Sequence, residues 1–443
     1  MGGRQTSASG SGTDVEGGDC HRAETPVTVL RVDVKVRSIE APGPRLVLLA
    51  ILSAMASIAH MPAATASPGG TSQAVEPPIA SDTPFDRQGM WIWYVDRSDG
   101  GSIPRIVARA ARFGIGTLYI KAGDGGDTWS QFNTSLVEAL HQGGLDVCAW
   151  QFVYGERPVA EARVGAAAVR RGADCLVIDA EGSYEGRYAA ADRYVQALRA
   201  RIGESFPLSL AGFPYVDYHP SFPYSVFFGP GGATYSQPQM YWKAIGTSVR
   251  TVYEHTYLFN RLWGHPIYPL GQTYESPGRK PILSFRRFAE SYGGLPPSWW
   301  DWQETSARDW SALGATTNGP LTGYRPIDSD PVLKRGSRGD LVVWAQEHLR
   351  SAGQTQVPVT GFYGGVTRAA VRAFQGAQGL PADGVVGTTT WQSLLDFEPV
   401  RTRWAARHAR SGRAAAARAT PARQPLSASL PAVAYEINPG PAP

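Results

Sequence analysis

Between residues 85 and 315, short apolar or aromatic runs alternate eight times with helical stretches, and few architectures accept that order. The runs fall at 90–95, 117–122, 146–153, 174–181, 207–213, 237–242, 266–272 and 298–303. Between them, apolar residues recur at helical spacing. Ile103, Ile106, Val107, Ala110 and Ala111 share one face, and 135–142, 160–171 and 188–202 behave likewise. Gly114, Gly143, Gly172 and Gly203 follow four of these stretches, where a left-handed cap is wanted. Strand and helix repeated in this way are the sequence form of a TIM (β/α)8 barrel, α/β in class. The first four units are regular. The last four carry longer insertions rich in Pro and aromatic residues.

A chain of 443 residues exceeds what one core holds, so a second domain is expected. The formal charge is +4, and lysine occurs only at positions 35, 121, 243, 280 and 334. The arginine excess, with abundant Ala, Gly and Pro, reads as GC-rich bacterial coding. No zinc-finger spacing or basic stripe points to nucleic acid. Three cysteines cannot build a disulfide framework. Cys148 and Cys175 fall in neighbouring expected strands and read as buried inert thiols, with a bridge as the alternative.

Residues 1–33 are polar and show no apolar period. Lys35, Arg37 and Arg45 precede an apolar run from Leu46, and Ala64-Thr65-Ala66 fits a small-residue cleavage site. The combination describes a secretory signal within 1–66, with translation starting near Val34 or Val36; an uncleaved anchor is the alternative. No stable membrane span is expected after cleavage. Residues 67–84 and 316–330 read as linkers and 85–315 as the barrel. A compact module occupies 331–398. The Arg/Ala/Pro-rich stretch 399–443 reads as a solvated tail. The chain is expected to act as a monomer.

The module has the most specific pattern. Leu333-Lys-Arg-Gly-Ser-Arg-Gly-Asp leads into a helix with Val342, Val343, Gln346 and Leu349 at helical spacing. Thr360-Gly-Phe-Tyr363 precedes a second helix with Val371, Phe374 and Gln375, and Gly379 to Gly387 precedes a third with Trp391. Thr367 and Thr388 sit where helix caps belong. The arrangement closely resembles the bacterial peptidoglycan-binding three-helix domain. That resemblance implies a small all-α domain following the barrel, with non-catalytic attachment to cell-wall glycopeptide.

In a barrel of this kind chemistry lies at the carboxyl ends of the strands. Leu176, Val177 and Ile178 make a buried fourth strand, and Asp179 and Glu181 arrive at its end. A two-residue offset puts both side chains on one face, where two carboxyls perturb each other's acidity. The Asp-x-Glu resembles that of chitinase-like hydrolases and Chalaropsis-type muramidases. Pro238-Gln-Met-Tyr-Trp242 on the sixth strand and Trp299-Trp-Asp-Trp-Gln303 on the eighth extend the resemblance. It implies Glu181 as the acid toward the glycosidic oxygen. Asp179 and Tyr241 would position an acetamido group acting as internal nucleophile. The sequence departs from those families at Val177, where chitinases carry another aspartate, and on strand one, where Asp96 comes late.

Lys121, Gln151, Asp217, Gln239, Gln272, Asp301 and Trp302 are further strand-end candidates for holding substrate, and Lys121 for keeping Asp179 ionised. Trp91, Trp93, Trp150, Trp242 and Trp300 gather at strand ends, as stacking faces or as core. No metal ligand set, cofactor motif or phosphate loop is present, so no cofactor is expected. The expectation is a secreted, cell-wall-directed protein that binds peptidoglycan and hydrolyses N-acetylated glycan strands. Its alternative is a non-catalytic polysaccharide-binding scaffold in which Asp179 and Glu181 pair with Lys121 or an arginine and brace the barrel mouth.

Overall fold

A computed structural model of the chain describes residues 83–404. The expected signal segment, most of the first linker and the tail beyond 404 lie outside the described residues. The elements run β1 (Gly89–Ile92), α1 (Ile103–Arg112), β2 (Thr117–Asp124), β3 (Asp127–Thr128), α2 (Thr134–Gln142), β4 (Asp146–Val153), α3 (Pro158–Arg170), β5 (Cys175–Ala180) and α4 (Tyr188–Ile202). They continue with β6 (Leu208–Ala211), α5 (Tyr224–Phe227), β7 (Tyr235–Ser236), α6 (Trp242–Ile245), α7 (Val249–Asn260), β8 (Leu270–Gln272), α8 (Arg279–Ser291), β9 (Ser298–Trp300) and α9 (Ala307–Leu313). Three further helices, α10 (Asp340–Ser351), α11 (Gly365–Ala377) and α12 (Thr388–Leu395), form the C-terminal module.

Eight strands pair in parallel in the order β7-β6-β5-β4-β2-β1-β9-β8, while β3 folds back on β2. The sheet's two ends meet through parallel bridges from Ser236 to Ile267 and from Gln239 to Leu270. The result is a TIM-like barrel followed by a helical domain. Strand side chains alternate between two hydrophobic layers, as a period of two requires. Along β5, Cys175 and Val177 face the barrel interior with Trp91, Tyr119 and Trp150. Leu176, Ile178 and Ala180 face the helices. Phe85 plugs the floor, its ring tilted against those of Tyr235 and Tyr268.

The strands of the second half are shorter than the sequence pattern indicates. Pro207 stands just before β6, and Pro238, Pro266 and Pro269 fall within the expected sixth and seventh runs, where none has an N–H to give a ladder. The run expected at 237–242 holds only the bridge at Gln239, before Trp242 opens α6. Three capping assignments also change. After α2 the left-handed residue is Gly144 (φ 78°), not Gly143 (φ −81°). In the module the N-cap residues are Gly364 and Gly387, and Thr367 lies within α11, where its hydroxyl accepts from Gln346 Nε2.

The module is fastened to the barrel along α10. The Asp340 carboxylate accepts from the Ser225 N–H and hydroxyl, each at 2.7 Å, and the Asp340 N–H donates to Pro220 O. Gly339 adopts φ +111°, and a Cβ there would lie 2.7 Å from Pro220 O, so the approach demands glycine. Trp344 packs edge-on against Trp263 and donates to Leu262 O. The chain after α12 returns across the junction, with Arg401 on Asp192 and Trp404 against Tyr188. Residues 316–330 also run against the barrel, through Tyr324 on Tyr292 and Asp330 on Arg261.

Candidate active site

At the carboxyl ends of the strands lies a cleft with about 860 Å³ of free space, solvent at its mouth included. β1 contributes Trp91 and, just beyond its end, Trp93. β2 contributes Lys121 and Asp124, β4 contributes Trp150 and Phe152, and Tyr154 follows. β5 and the residues after it supply Asp179, Glu181, Gly182 and Ser183, and Gln239, Tyr241 and Trp300 close the ring. The peptide between Trp300 and Asp301 is cis.

The inward parity of β5 places Asp179 above Val177, and Glu181 continues the same face past the strand's end. Both acids are buried, at 7% and 6% exposure. The Gln239 amide nitrogen donates to Asp179 Oδ1 and to Glu181 Oε1, each at 3.1 Å, so one side chain holds both carboxyls. Burial first, and then the neighbouring Glu181 charge, push the Asp179 carboxyl well above the usual carboxylate range; Lys121 opposes this without prevailing. The Tyr241 phenol is buried and raised well above its ordinary value, so it stays a donor through neutral pH.

Lys121 lines the cleft and pairs with Asp124, at 2.7 Å. Its ammonium lies over the rings of Trp93, Trp129 and Trp150, at 5.1, 4.7 and 4.7 Å. Tyr154 completes this wall by donating to Asp124 at 2.8 Å. Sequence reasoning missed Tyr154 and Phe152, although the period-two series Cys148, Trp150, Phe152 pointed along the inward face.

Five expected substrate contacts lie elsewhere. Gln151 has the outward parity of Val147 and Ala149, and its amide donates to Gly125 O and Glu161 O beneath α3. Gln272 accepts from the Lys243 and Ala244 N–H groups and so holds the start of α6. Asp217 pairs with His255 on the outer surface. Trp302 donates to Asp99 and packs on Trp310. Asp301 is buried behind the cleft wall, where its carboxyl accepts from the Glu304 N–H; burial pushes it up to about 7. Trp242 packs on Phe285 in the outer layer.

Cys148 and Cys175 are joined by a disulfide, which corrects their reading as free thiols. They face each other across the β4–β5 register inside the barrel, so the inward parity of both strands brings them together.

Comparison with known proteins bears on the module. Residues 338–394 match the family described as "Putative peptidoglycan binding domain". A Kitasatospora aureofaciens protein, called "Uncharacterized protein in bpoA1 3'region", is 39% identical over 89 residues, which are 20% of this chain and 74% of that protein. Solved structures similar to the chain include three enzymes. A Rhizomucor miehei endo-1,4-beta-mannanase has 6% identity and a TM-score of 0.41, covering 53% of this chain and 94% of that one. A Chromobacterium violaceum chitinase has 10% and 0.37, covering 51% and 98%. The Bacillus cereus spore cortex-lytic enzyme SleL has 11% and 0.38, covering 53% and 75%. None of these three values bears on what the barrel does. Through the shared segment the chain belongs to one family with the Kitasatospora aureofaciens protein, and at residues 338–394 it carries a peptidoglycan-binding domain.

Proposed function

We propose that the chain is an exported cell-wall protein whose barrel hydrolyses glycosidic bonds in N-acetylated glycan strands while the module grips peptidoglycan. The observation that carries this is the pair Asp179 and Glu181, buried together in an aromatic-walled cleft and held by one amide. A buried carboxyl pair that retains a proton toward neutrality is a source of general acid. Glu181 delivers that proton to the glycosidic oxygen as the bond to the sugar's anomeric carbon breaks. The acetamido oxygen of the same sugar closes on that carbon. Asp179, left ionised once the pair's proton has passed to Glu181, accepts a hydrogen bond from the amide N–H, and Tyr241 donates to the acetamido oxygen to keep it in line. Water activated by Glu181 then opens the ring. Trp93, Trp300 and Tyr154 supply faces for sugar rings. Export is supported by the buried disulfide, a feature that persists in oxidising compartments. No helix among the described residues is long and apolar enough to cross a membrane.

A binding-only barrel is the second reading. Val177 favours it, since that residue occupies the inward site beneath Asp179 and leaves no carboxyl there. One experiment separates the two. The chain from residue 67 is incubated with insoluble wall, and reducing-sugar release and pelleting are followed together. Release that falls by a factor of about 10²–10⁴ in Glu181→Gln, with pelleting kept, supports the hydrolase. Pelleting without release from the unaltered chain supports the scaffold.

A further inference from the structure

A line of direct contacts leads from the cleft to the module. Ser183 lines the cleft, and two residues on Glu185 reaches across to the loop after β6. Its carboxylate takes the Ser221 hydroxyl at 2.9 Å and His219 Nδ1 at 2.7 Å, and the Gly186 N–H donates to Ser221 O. Pro220, between these two partners, receives the Asp340 N–H and lies against Gly339. Arg338 comes next. It pairs with Phe362 across an antiparallel bridge, and its guanidinium lies 4.2 Å from the centre of the Phe362 ring.

Phe362 is 40% exposed, and the neighbouring Val366 is 57% exposed. The preceding loop, 334–338, holds Lys334, Arg335 and Arg338, all exposed, with no acid among them. An aromatic face carrying a guanidinium, beside two further cations, has the chemistry to take an amino-sugar ring and its attached carboxylates. The docking of α10 on Ser225 and Pro220 holds this surface against the barrel beside the loop that follows β6.

We infer that Phe362, Arg338, Arg335 and Lys334 form an outer subsite for the same peptidoglycan strand that the cleft holds, met where the strand leaves the cleft on the β5–β6 side. This rests on the glycan-binding reading of the cleft and assigns the direction in which the polymer runs. Its occupant is a glycan strand that carries its carboxylates; the length of that strand is what the subsite senses.

The test uses the full chain as Glu181→Gln, with uncrosslinked peptidoglycan strands graded by length as probe. Affinity is expected to rise beyond the length that fills the cleft. Adding Arg338→Ala and Phe362→Ala removes that rise, a loss of about tenfold on long strands, and leaves short strands unchanged. Arg335→Glu, which leaves the Arg338–Phe362 bridge intact, gives the same pattern should the double variant melt early. Equal loss on short and long strands, no loss on either, or no rise with length in the parent each overturns the inference. Reducing-sugar release from short strands by the unaltered chain is followed separately. Its absence removes the hydrolase reading and leaves the binding comparison to decide the subsite.

Discussion

The Lys121 ammonium lies 2.7 Å from Asp124, and three indole rings wall it in, so its charge reaches Asp179 already partly neutralised. That is why burial and Glu181 prevail and Asp179 keeps its proton above the usual carboxylate range. Two substitutions of opposite sign follow. Asp124→Asn removes a like charge from the neighbourhood of Asp179 and frees Lys121, so Asp179 ionises at lower pH. Lys121→Met removes the opposing cation, so ionisation moves to higher pH. If the pair's shared proton drives wall hydrolysis, the alkaline limb of kcat/KM moves down in the first and up in the second. Shifts of the same sign in both would contradict this account of the site.

Gln239 offers a second handle, because its amide holds two carboxyls at once. Gln239→Ala removes two hydrogen bonds to a pair that shares one proton, one worth about 1.5–3 kcal/mol to the ionised carboxylate and the other about 0.5–1.5 kcal/mol to the neutral carboxyl. The two acids then lose their common orientation as well as their donor. A fall in kcat of roughly 10–100-fold is expected, with pelleting on wall unchanged because the module is untouched. Loss of pelleting along with kcat would show that Gln239 acts on the fold.

The disulfide closes a loop between residues 148 and 175, deep in the barrel interior. The chain-entropy relation for a loop of that length gives about 3.5 kcal/mol. Cys148→Ala with Cys175→Ala is therefore expected to lower the unfolding free energy by that order, and the urea midpoint with it, with reductant making no further difference to the variant. Urea unfolding with and without reductant checks it. A parent chain whose midpoint ignores reductant even after unfolding would show that the bond is not formed in the protein.

The fold was legible because the two hydrophobic layers impose a period of two on every strand, and Asp179 with Glu181 follow from that period alone. Gln151 was placed in the cleft because it ends a strand, but the inward series Cys148, Trp150 and Phe152 already excluded it. Strand-end position says where the backbone stops; parity says which way the side chain turns. Gln272 obeys parity and still misses the cleft, since the N–H groups of Lys243 and Ala244 claim it, and those open a short helix just where the pattern ended its sixth strand. The Cys148–Cys175 bond depends on the stagger between two strands, which neither strand's sequence carries. The docked face of α10 was hidden for a related reason. Asp340, Glu347 and His348 look like solvent-facing residues of a small domain, yet all three are buried against the barrel or the returning chain.

That burial makes the junction sensitive to pH. Asp340 has its carboxyl pushed from 3.8 up to about 7 by burial, against the hydrogen bonds from Ser225 that favour its ionised form. Glu347, on the same face, is raised well above its ordinary value, again by burial first. A carboxyl with a raised native pKa binds its proton more tightly in the folded state. Stability is therefore greatest below the unfolded value and falls as pH climbs between 3.8 and about 7. For Asp340 alone the full swing is at most roughly 4 kcal/mol, at about 1.36 kcal/mol per unit. The melting temperature of the module is expected to drop from pH 5 to pH 8, flagged by the fluorescence of Trp344 as it leaves Trp263 (about those two pH values, either side of the raised pKa). Asp340→Asn keeps an acceptor for Ser225 and cannot ionise, so its melting temperature is expected to stay flatter over that range. A variant as steep as the parent would place the pH dependence elsewhere, with Glu347→Gln the next substitution to measure.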